Sequence, residues 1–405
     1  MAKPHLLLKL SCPELSAESK YGLMCFWHQH GYGDEGSVRR TVKGIAAEWG
    51  TSDRFASKAL HELAAANALV CNRVSEGRGR PGYRYRISSW YIDQLTVKAD
   101  DEEQATSHAA LVRAVLETPE MGGMAAYGDG VAIDPASMKA GKQTGSGEQL
   151  GPANRLVLMV LLAHADERGA VTGMGPARLA SLVGMKKDRF QRQVAKLRQL
   201  GYIRAVVPGI SGQRLFGVAP GAYYLNLEHP AYGGAGVPSA SVVFELEDLT
   251  WAPEPLRGTE ADQLAQLAAG HGQVEASDGS YGVGVRIDPR YRGNWVDLSS
   301  WLEVLSAYLG QPLPPGLSSF LQMRIDDYAG QLLYRYWVEL KPPALPLTDA
   351  EVLNGVHNEL FGTDLHDDTG SEDGDVRQQR EFAECIYHLA WRKAESLRSN
   401  MNGRP

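Results

Sequence analysis

Two stretches of this 405-residue chain, about 130 residues apart, carry the same pattern. The first is IAAEWGTSDRFASKALHELAAANALV, Ile45 to Val70; the second is LASLVGMKKDRFQRQVAKLRQLGYI, Leu179 to Ile203. Placing Gly50 on Gly184 keeps the next nineteen residues aligned without a gap, with Leu60 on Val194, Leu63 on Leu197 and Leu69 on Ile203. In each copy apolar residues recur at helical spacing, break at a glycine, recur at helical spacing again and then enter a short apolar run. The pattern predicts a short helix, a tight turn, a second helix and the start of a strand, twice in one chain.

Each copy has a helix before it and a hairpin after it. In the first, the spacing predicts helices over Ser16–Gly31 and Val42–Trp49 and a third opened by Ser52 as N-cap. Val70–Val74 and Tyr83–Ile87 then read as strands flanking the loop EGRGRPG. In the second, Asn154–Ala165, Pro176–Val183 and Lys187–Leu200 read as helices, and Gly201 as the helix stop. Ile203–Val207 and Phe216–Val218 read as strands around PGISGQ, with a further strand at Tyr223–Leu227. This is the order of a winged helix-turn-helix, whose last helix enters the major groove of DNA.

Charge is segregated in the same sense. The net charge is −7, but residues 1–98 carry +5 and residues 150–232 carry +7, against −6 for 99–149 and −13 for 233–405. DNA responds to the local field within roughly 8–10 Å, so the two repeats are the basic parts of an otherwise acidic chain. The expected organisation is a first module at 1–98, a short helix and Gly-rich linker at 99–153, a second module at 154–232 and an acidic, mostly helical domain at 233–405. The short helix is placed at Ser107–Glu117 and the linker proper at 119–153. Such a linker of ~35 residues has an r.m.s. span of about 30–35 Å, close to the ~34–36 Å between successive major grooves. In the acidic part the strand candidate is Ser241–Leu246, and the helix candidates are Glu260–Ala269, Trp295–Leu309, Leu317–Leu340 and Arg377–Ser399. The fold class is therefore mainly α with small β-hairpin wings, an α+β arrangement of two such modules and an α-rich C-terminal domain.

Helix phase selects the side chains offered to DNA. With Ala56, Leu60 and Leu63 inward, Asp53, Arg54, Ser57 and Lys58 point outward beside the cap Ser52. With Phe190, Val194 and Leu197 inward, Lys187, Asp188, Gln191 and Arg192 point outward, with Lys186, Arg189 and Lys196 beside them. Arg or Lys pairs with guanine O6/N7 and Gln with adenine N6/N7. An Asp at these places can accept from cytosine N4 or pair with Arg54 or Arg189, the commoner use, so no base is assigned to Asp53 or Asp188. Phe55 breaks the phase: either its helix is slightly rotated or its ring packs on the first helix. The first hairpin loop, Gly77-Arg78-Gly79-Arg80-Pro81-Gly82, resembles the core of an AT-hook, which implies that Arg78 and Arg80 enter a narrow A·T minor groove with Arg84 behind them. The second loop is less charged; its Arg214 is expected on the phosphate backbone.

The residues RLVLMVLLAHADERG, LASLVG and RFQRQVAKLRQLGYI resemble the helix-turn-helix of phage and plasmid replication proteins and of many bacterial regulators. The first copy is a weaker match to the same winged-helix superfamily, with Asn67 standing near the place of the closing glycine. The resemblance implies double-stranded DNA as partner. It is compatible with a transcriptional repressor, with a replication initiator of a plasmid or mobile element that uses two winged helices as a pseudo-dimer, and with a winged-helix adaptor that binds protein.

Other classes find little footing. No GxxxxGK[ST], HExxH, GxSxG or paired-cysteine motif occurs, so neither enzyme activity nor a cofactor is expected. Cys12…Cys25-x2-His28-x-His30 has zinc-ligand residue types but reads as a buried thiol with two surface histidines, not a metal site. Asp326-Asp327 and Asp367-Asp368 read as solvated surface charge. The longest apolar run, Leu156–Ala163, is far below the ~20 residues of a membrane span. The N-terminus lacks a signal-peptide cleavage pattern, so the expected location is the cytoplasm, on the nucleoid. The stripes on Leu317–Leu340 and Arg377–Ser399 suit either a homodimer face or an internal core.

Overall fold

A computed structural model of the chain describes residues 6–31, 37–74, 82–93, 107–118, 149–211, 215–236, 259–270, 274–275, 281–286, 295–310, 316–340, 347–362 and 374–402. These residues are mostly helical with small antiparallel sheets, in line with the α+β expectation. The chain divides into two compact units. The first comprises Met1–Val206 and Ala222–Ser241; the second comprises Val207–Gly221 and Val242–Pro405.

In the first unit, α1 (Leu6–Lys9) leads into α2 (Ala17–His30), β1 (Val38–Arg39), α3 (Val42–Glu48), α4 (Asp53–Ala65), β2 (Leu69–Val74) and β3 (Gly82–Ile87). After α5 (Ala109–Glu117), the same order returns as α6 (Pro152–His164), β4 (Ala170–Val171), α7 (Pro176–Val183), α8 (Lys187–Gln199), β5 (Ile203–Val207) and β6 (Ala222–Leu225). The sheets also match: the orders are β1-β3-β2 and β4-β6-β5, with the last strand central in both.

Local chemistry accounts for these elements. Ser16, Thr41 and Ser52 accept hydrogen bonds from the backbone N–H three residues on, at 3.1–3.2 Å, and so start α2, α3 and α4. Gly50 (φ 62°) and Gly184 (φ 77°) make the turn inside each repeat in the left-handed region. The bend after the following helix is left-handed in both repeats, at Asn67 (φ 55°) and Gly201 (φ 82°). Asparagine can stand in for glycine there because its short polar side chain tolerates that conformation.

The two repeats share one hydrophobic core. Helices α2 and α6 are buried on nearly every face and pack on each other. The Gly50–Gly184 offset places Tyr21 on Arg155, and these equivalent residues touch: Arg155 Nη1 donates to the Tyr21 hydroxyl at 3.2 Å. Contact between equivalent positions is what a two-fold relation between repeats produces. Arg155 also donates to the carbonyls of Leu150 and Thr118, at 3.1 and 2.7 Å. Lys20, fully buried, donates to Leu10 O at 2.7 Å and to Leu182 O at 2.5 Å. The second acceptor lies in the last turn of α7, where carbonyls lack helical partners and a cation is favoured. Burial pulls the Lys20 pKa down to about 8. The spacing of the repeats is thus set by packing rather than by the reach of residues 119–148, which lie outside the described residues.

The second unit holds α9 (Glu260–Ala268), the strand pairs β7 (Val274–Glu275) with β8 (Tyr281–Gly282) and β9 (Gly284–Arg286) with β10 (Trp295–Asp297), then α10 (Leu302–Leu309), α11 (Leu317–Arg335), α12 (Ala350–Phe361) and α13 (Gly374–Asn402). Helices α11 and α13 pack together, and the apolar stripes expected of them lie in the core of this unit. Three expectations need correction. Trp295–Leu309 is not one helix, because Asp297 accepts the Ser299 N–H at 3.0 Å and turns the chain between β10 and α10. Asp326 is not surface charge. It is buried against Lys393 Nζ at 2.6 Å, with Glu260 on the same ammonium at 3.0 Å and Gln322 donating to it at 2.8 Å; its neighbour Asp327 pairs with Arg324 at 2.8 Å. Phe216–Val218 is not a strand: Phe216 has φ 62°, its ring packs on Phe320, and its N–H donates to Leu360 O at 2.6 Å. The Ser241–Leu246 strand candidate and Asp367-Asp368 lie outside the described residues. Among the described residues no helix is long and apolar enough to cross a membrane.

Candidate nucleic-acid interface

The surface of α8 is built by its phase. Phe190, Val194 and Leu197 are buried, with the Phe190 ring edge-on to Tyr223 of β6. The opposite face is left to Lys186, Lys187, Asp188, Gln191 and Arg192, all exposed. Arg192 bends back toward Asp188 O (3.4 Å), and half-buried Lys196 donates to Gln149 O at 3.1 Å. Asp188 is the one acid on this otherwise basic helix.

Helix α4 offers the equivalent face with less charge. Ala56, Ala59, Leu60 and Leu63 are buried, and Ser52, Asp53, Arg54, Ser57 and Lys58 are exposed. Phe55 is half-buried with its ring edge-on to Tyr21 of α2, so the aromatic packs on the first helix. Ala56 occupies the place that Phe190 fills in the second repeat. Arg54, Ser57, Lys58, His61 and Glu62 line a shallow open depression. Lys58 is partly balanced within the helix by Glu62 at 3.6 Å.

The N-terminus of α2 lies between these two faces. Glu18, in its first turn, accepts from both terminal guanidinium nitrogens of Arg189 from α8. Burial alone would raise its pKa; the Arg189 bonds outweigh this, with the Lys58 charge adding to them, and the carboxyl is held below its ordinary range. Ser16 and Ser19 donate to Glu62 of α4, the former at 2.5 Å. One short stretch of α2 thus reaches both α4 and α8.

Behind α4, the β1-β3-β2 sheet turns arginines outward. Tyr85 and Ile87 of β3 are buried and the alternating Arg84 and Arg86 are not. Arg39 of β1 stands directly opposite Arg84, both exposed, and the Arg39 guanidinium lies beside Gly82 at the base of the hairpin. Like charges facing each other across a sheet are unfavourable. Arg39 escapes a reading of the sequence, because β1 is two residues long and carries no strand signal. The hairpin tip with Arg78 and Arg80 falls outside the described residues.

The corresponding loop of the second repeat is placed differently. Arg214 is outside the described residues, but Leu215, next to it, is buried in the core of the second unit, to which Val207–Gly221 belongs. The zinc-type residues are engaged otherwise: Cys12 and Cys25 are buried, and His28 and His30 lie 3.2 and 3.1 Å from Glu117 and Glu48.

No curated protein and no solved structure shows a match to this chain. A known helix-turn-helix domain family matches residues 148–203, which span α6 through the start of β5, and this similarity supports DNA binding.

Proposed function

We propose that the chain is a sequence-specific double-stranded DNA-binding protein built from two winged helix-turn-helix modules, and that it acts as a bacterial transcriptional regulator, most simply a repressor. The observation that carries this reading is the exposed row Lys186, Lys187, Gln191 and Arg192 on the last helix of the matched domain. These are residue types that recognise base edges and phosphates, and they sit at the N-terminal end of the helix, which in such domains meets the major groove. The first repeat adds Arg54, Ser57 and Lys58 on α4, and Arg39 and Arg84 on its sheet, with Arg78 and Arg80 proposed for the minor groove.

A second reading, a replication initiator of a plasmid or mobile element, draws support from the packing of two repeats through α2 and α6, which gives one chain the form of a dimer. Selection of bound duplexes from a random pool followed by footprinting separates the readings. A palindromic site favours regulation, direct repeats beside an A·T-rich tract favour initiation, and no retarded duplex at low salt favours a protein partner instead. In the same assay, Lys187→Ala with Arg192→Ala is expected to abolish the selected sequence preference. It should also reduce the slope of log K against log salt by about 0.9 for each phosphate no longer neutralised. An unchanged preference removes α8 from base reading.

A further inference from the structure

We infer that Glu18 is a selectivity residue of the DNA-binding face: an acid placed between the two presented helices so that a duplex must compete with it for Arg189. The inference rests on the DNA-binding reading above and concerns how that surface discriminates.

Four observations carry it. Glu18 binds Arg189 through both terminal guanidinium nitrogens, the two-pronged geometry that arginine also uses on phosphate and guanine. Glu18 is in the first turn of α2, where a helix N-terminus favours a carboxylate, so its negative charge is held where it stands. It also lies within the field of Lys58 on α4. The same arrangement recurs on the other side, where Glu62 faces Lys58 and is fixed by the Ser16 and Ser19 hydroxyls of α2.

The consequence concerns non-specific binding, which arises almost wholly from cations neutralising phosphates. A cation already paired with a fixed carboxylate gives little to an arbitrary backbone, and the carboxylate itself repels phosphate. A site whose bases engage Gln191 and the neighbouring cations supplies the extra free energy that releases Arg189. Glu18 therefore lowers affinity for all duplexes but lowers it most for the wrong ones.

The test is Glu18→Gln, which keeps shape and removes charge, measured on the full-length chain with a selected site and with a scrambled duplex across a salt series. Expected is tighter binding to the scrambled duplex by about tenfold, a salt slope steeper by about 0.9 for one phosphate newly engaged, and a smaller ratio between selected and scrambled affinities. The double variant Glu18→Gln/Arg189→Met should lose the added slope, because the freed cation is gone. A purely structural role for Glu18 would change thermal stability without steepening the slope. Equal slope and equal ratio in wild type and Glu18→Gln overturn the inference while leaving DNA binding intact. A wild-type chain that retards no duplex at low salt overturns the DNA reading and this inference with it.

Discussion

The two repeats of the first unit have the same wiring and different charging. The first starts its exposed helix with a Ser52 cap and balances Lys58 against Glu62; the second starts its exposed helix on Lys186, without a side-chain cap, and concentrates cations there. The first continues into a hairpin whose strands turn arginines outward, whereas the second continues into a segment anchored in the other unit. The difference teaches that one order of elements can carry two differently charged surfaces. One copy combines a moderately charged helix with an arginine-rich hairpin; the other puts its charge into the helix alone.

The largest expected difference between the copies is at the internal turn. Both glycines are left-handed, which costs any L side chain about 1–2 kcal/mol. At Gly184 a Cβ would also lie 2.6 Å from the Leu15 carbonyl oxygen and 3.4 Å from the Ala17 nitrogen, backbone atoms leading into α2. Gly184→Ala should therefore cost about 3 kcal/mol or more by combined strain and overpacking, against about 1–2 kcal/mol for Gly50→Ala. Urea denaturation of both variants checks this, and equal losses would mean that the second turn does not bear on α2 as described.

The next effect tests how the copies are joined. Lys20→Met removes the ammonium that serves Leu10 O and Leu182 O and leaves two buried acceptors, at about 1–3 kcal/mol. Its pH dependence has a definite sign. Burial lowers the Lys20 pKa to about 8 from 10.5, so between these values the folded chain holds fewer protons than the unfolded one. Stability from this group therefore rises with pH across that window and is flat below it. Denaturation at pH 7.5 and 9.5 should show the rise in wild type relative to Lys20→Met; an identical pH response in both would place Lys20 outside the core.

What was legible in the sequence follows from these physical roles. The internal apolar stripes of α4 and α8 were visible because burial imposes a period, and the outward residues followed by phase. The Gly50 and Gly184 turns were visible because few residues tolerate their backbone. The union of the repeats was not visible, since it runs through Lys20, Arg155 and Tyr21, and charged residues read from sequence default to the surface. Asp326 was misread for the same reason: its partner Lys393, and Glu260 on the same ammonium, lie far along the chain in opposite directions. The Glu18–Arg189 pair was equally hidden, because nothing local in the sequence joins the first turn of α2 to α8.

The smallest effects sharpen the contrast in helix starts. Ser52→Ala removes a cap that accepts the Phe55 N–H at 3.2 Å and should cost about 1 kcal/mol. The reverse change in the second repeat, Lys186→Ser, supplies an acceptor that α8 lacks and takes a cation away from a helix N-terminus. It should stabilise the fold by up to about 1 kcal/mol. If Lys186 belongs to the DNA-binding face, the same substitution should weaken binding and lower the salt slope by about 0.9. Gain of stability together with weaker binding would identify Lys186 as a position where the second repeat gives up a helix cap for a phosphate or base partner. Gain of stability with unchanged affinity and slope would show that the exposed row begins after it, at Lys187.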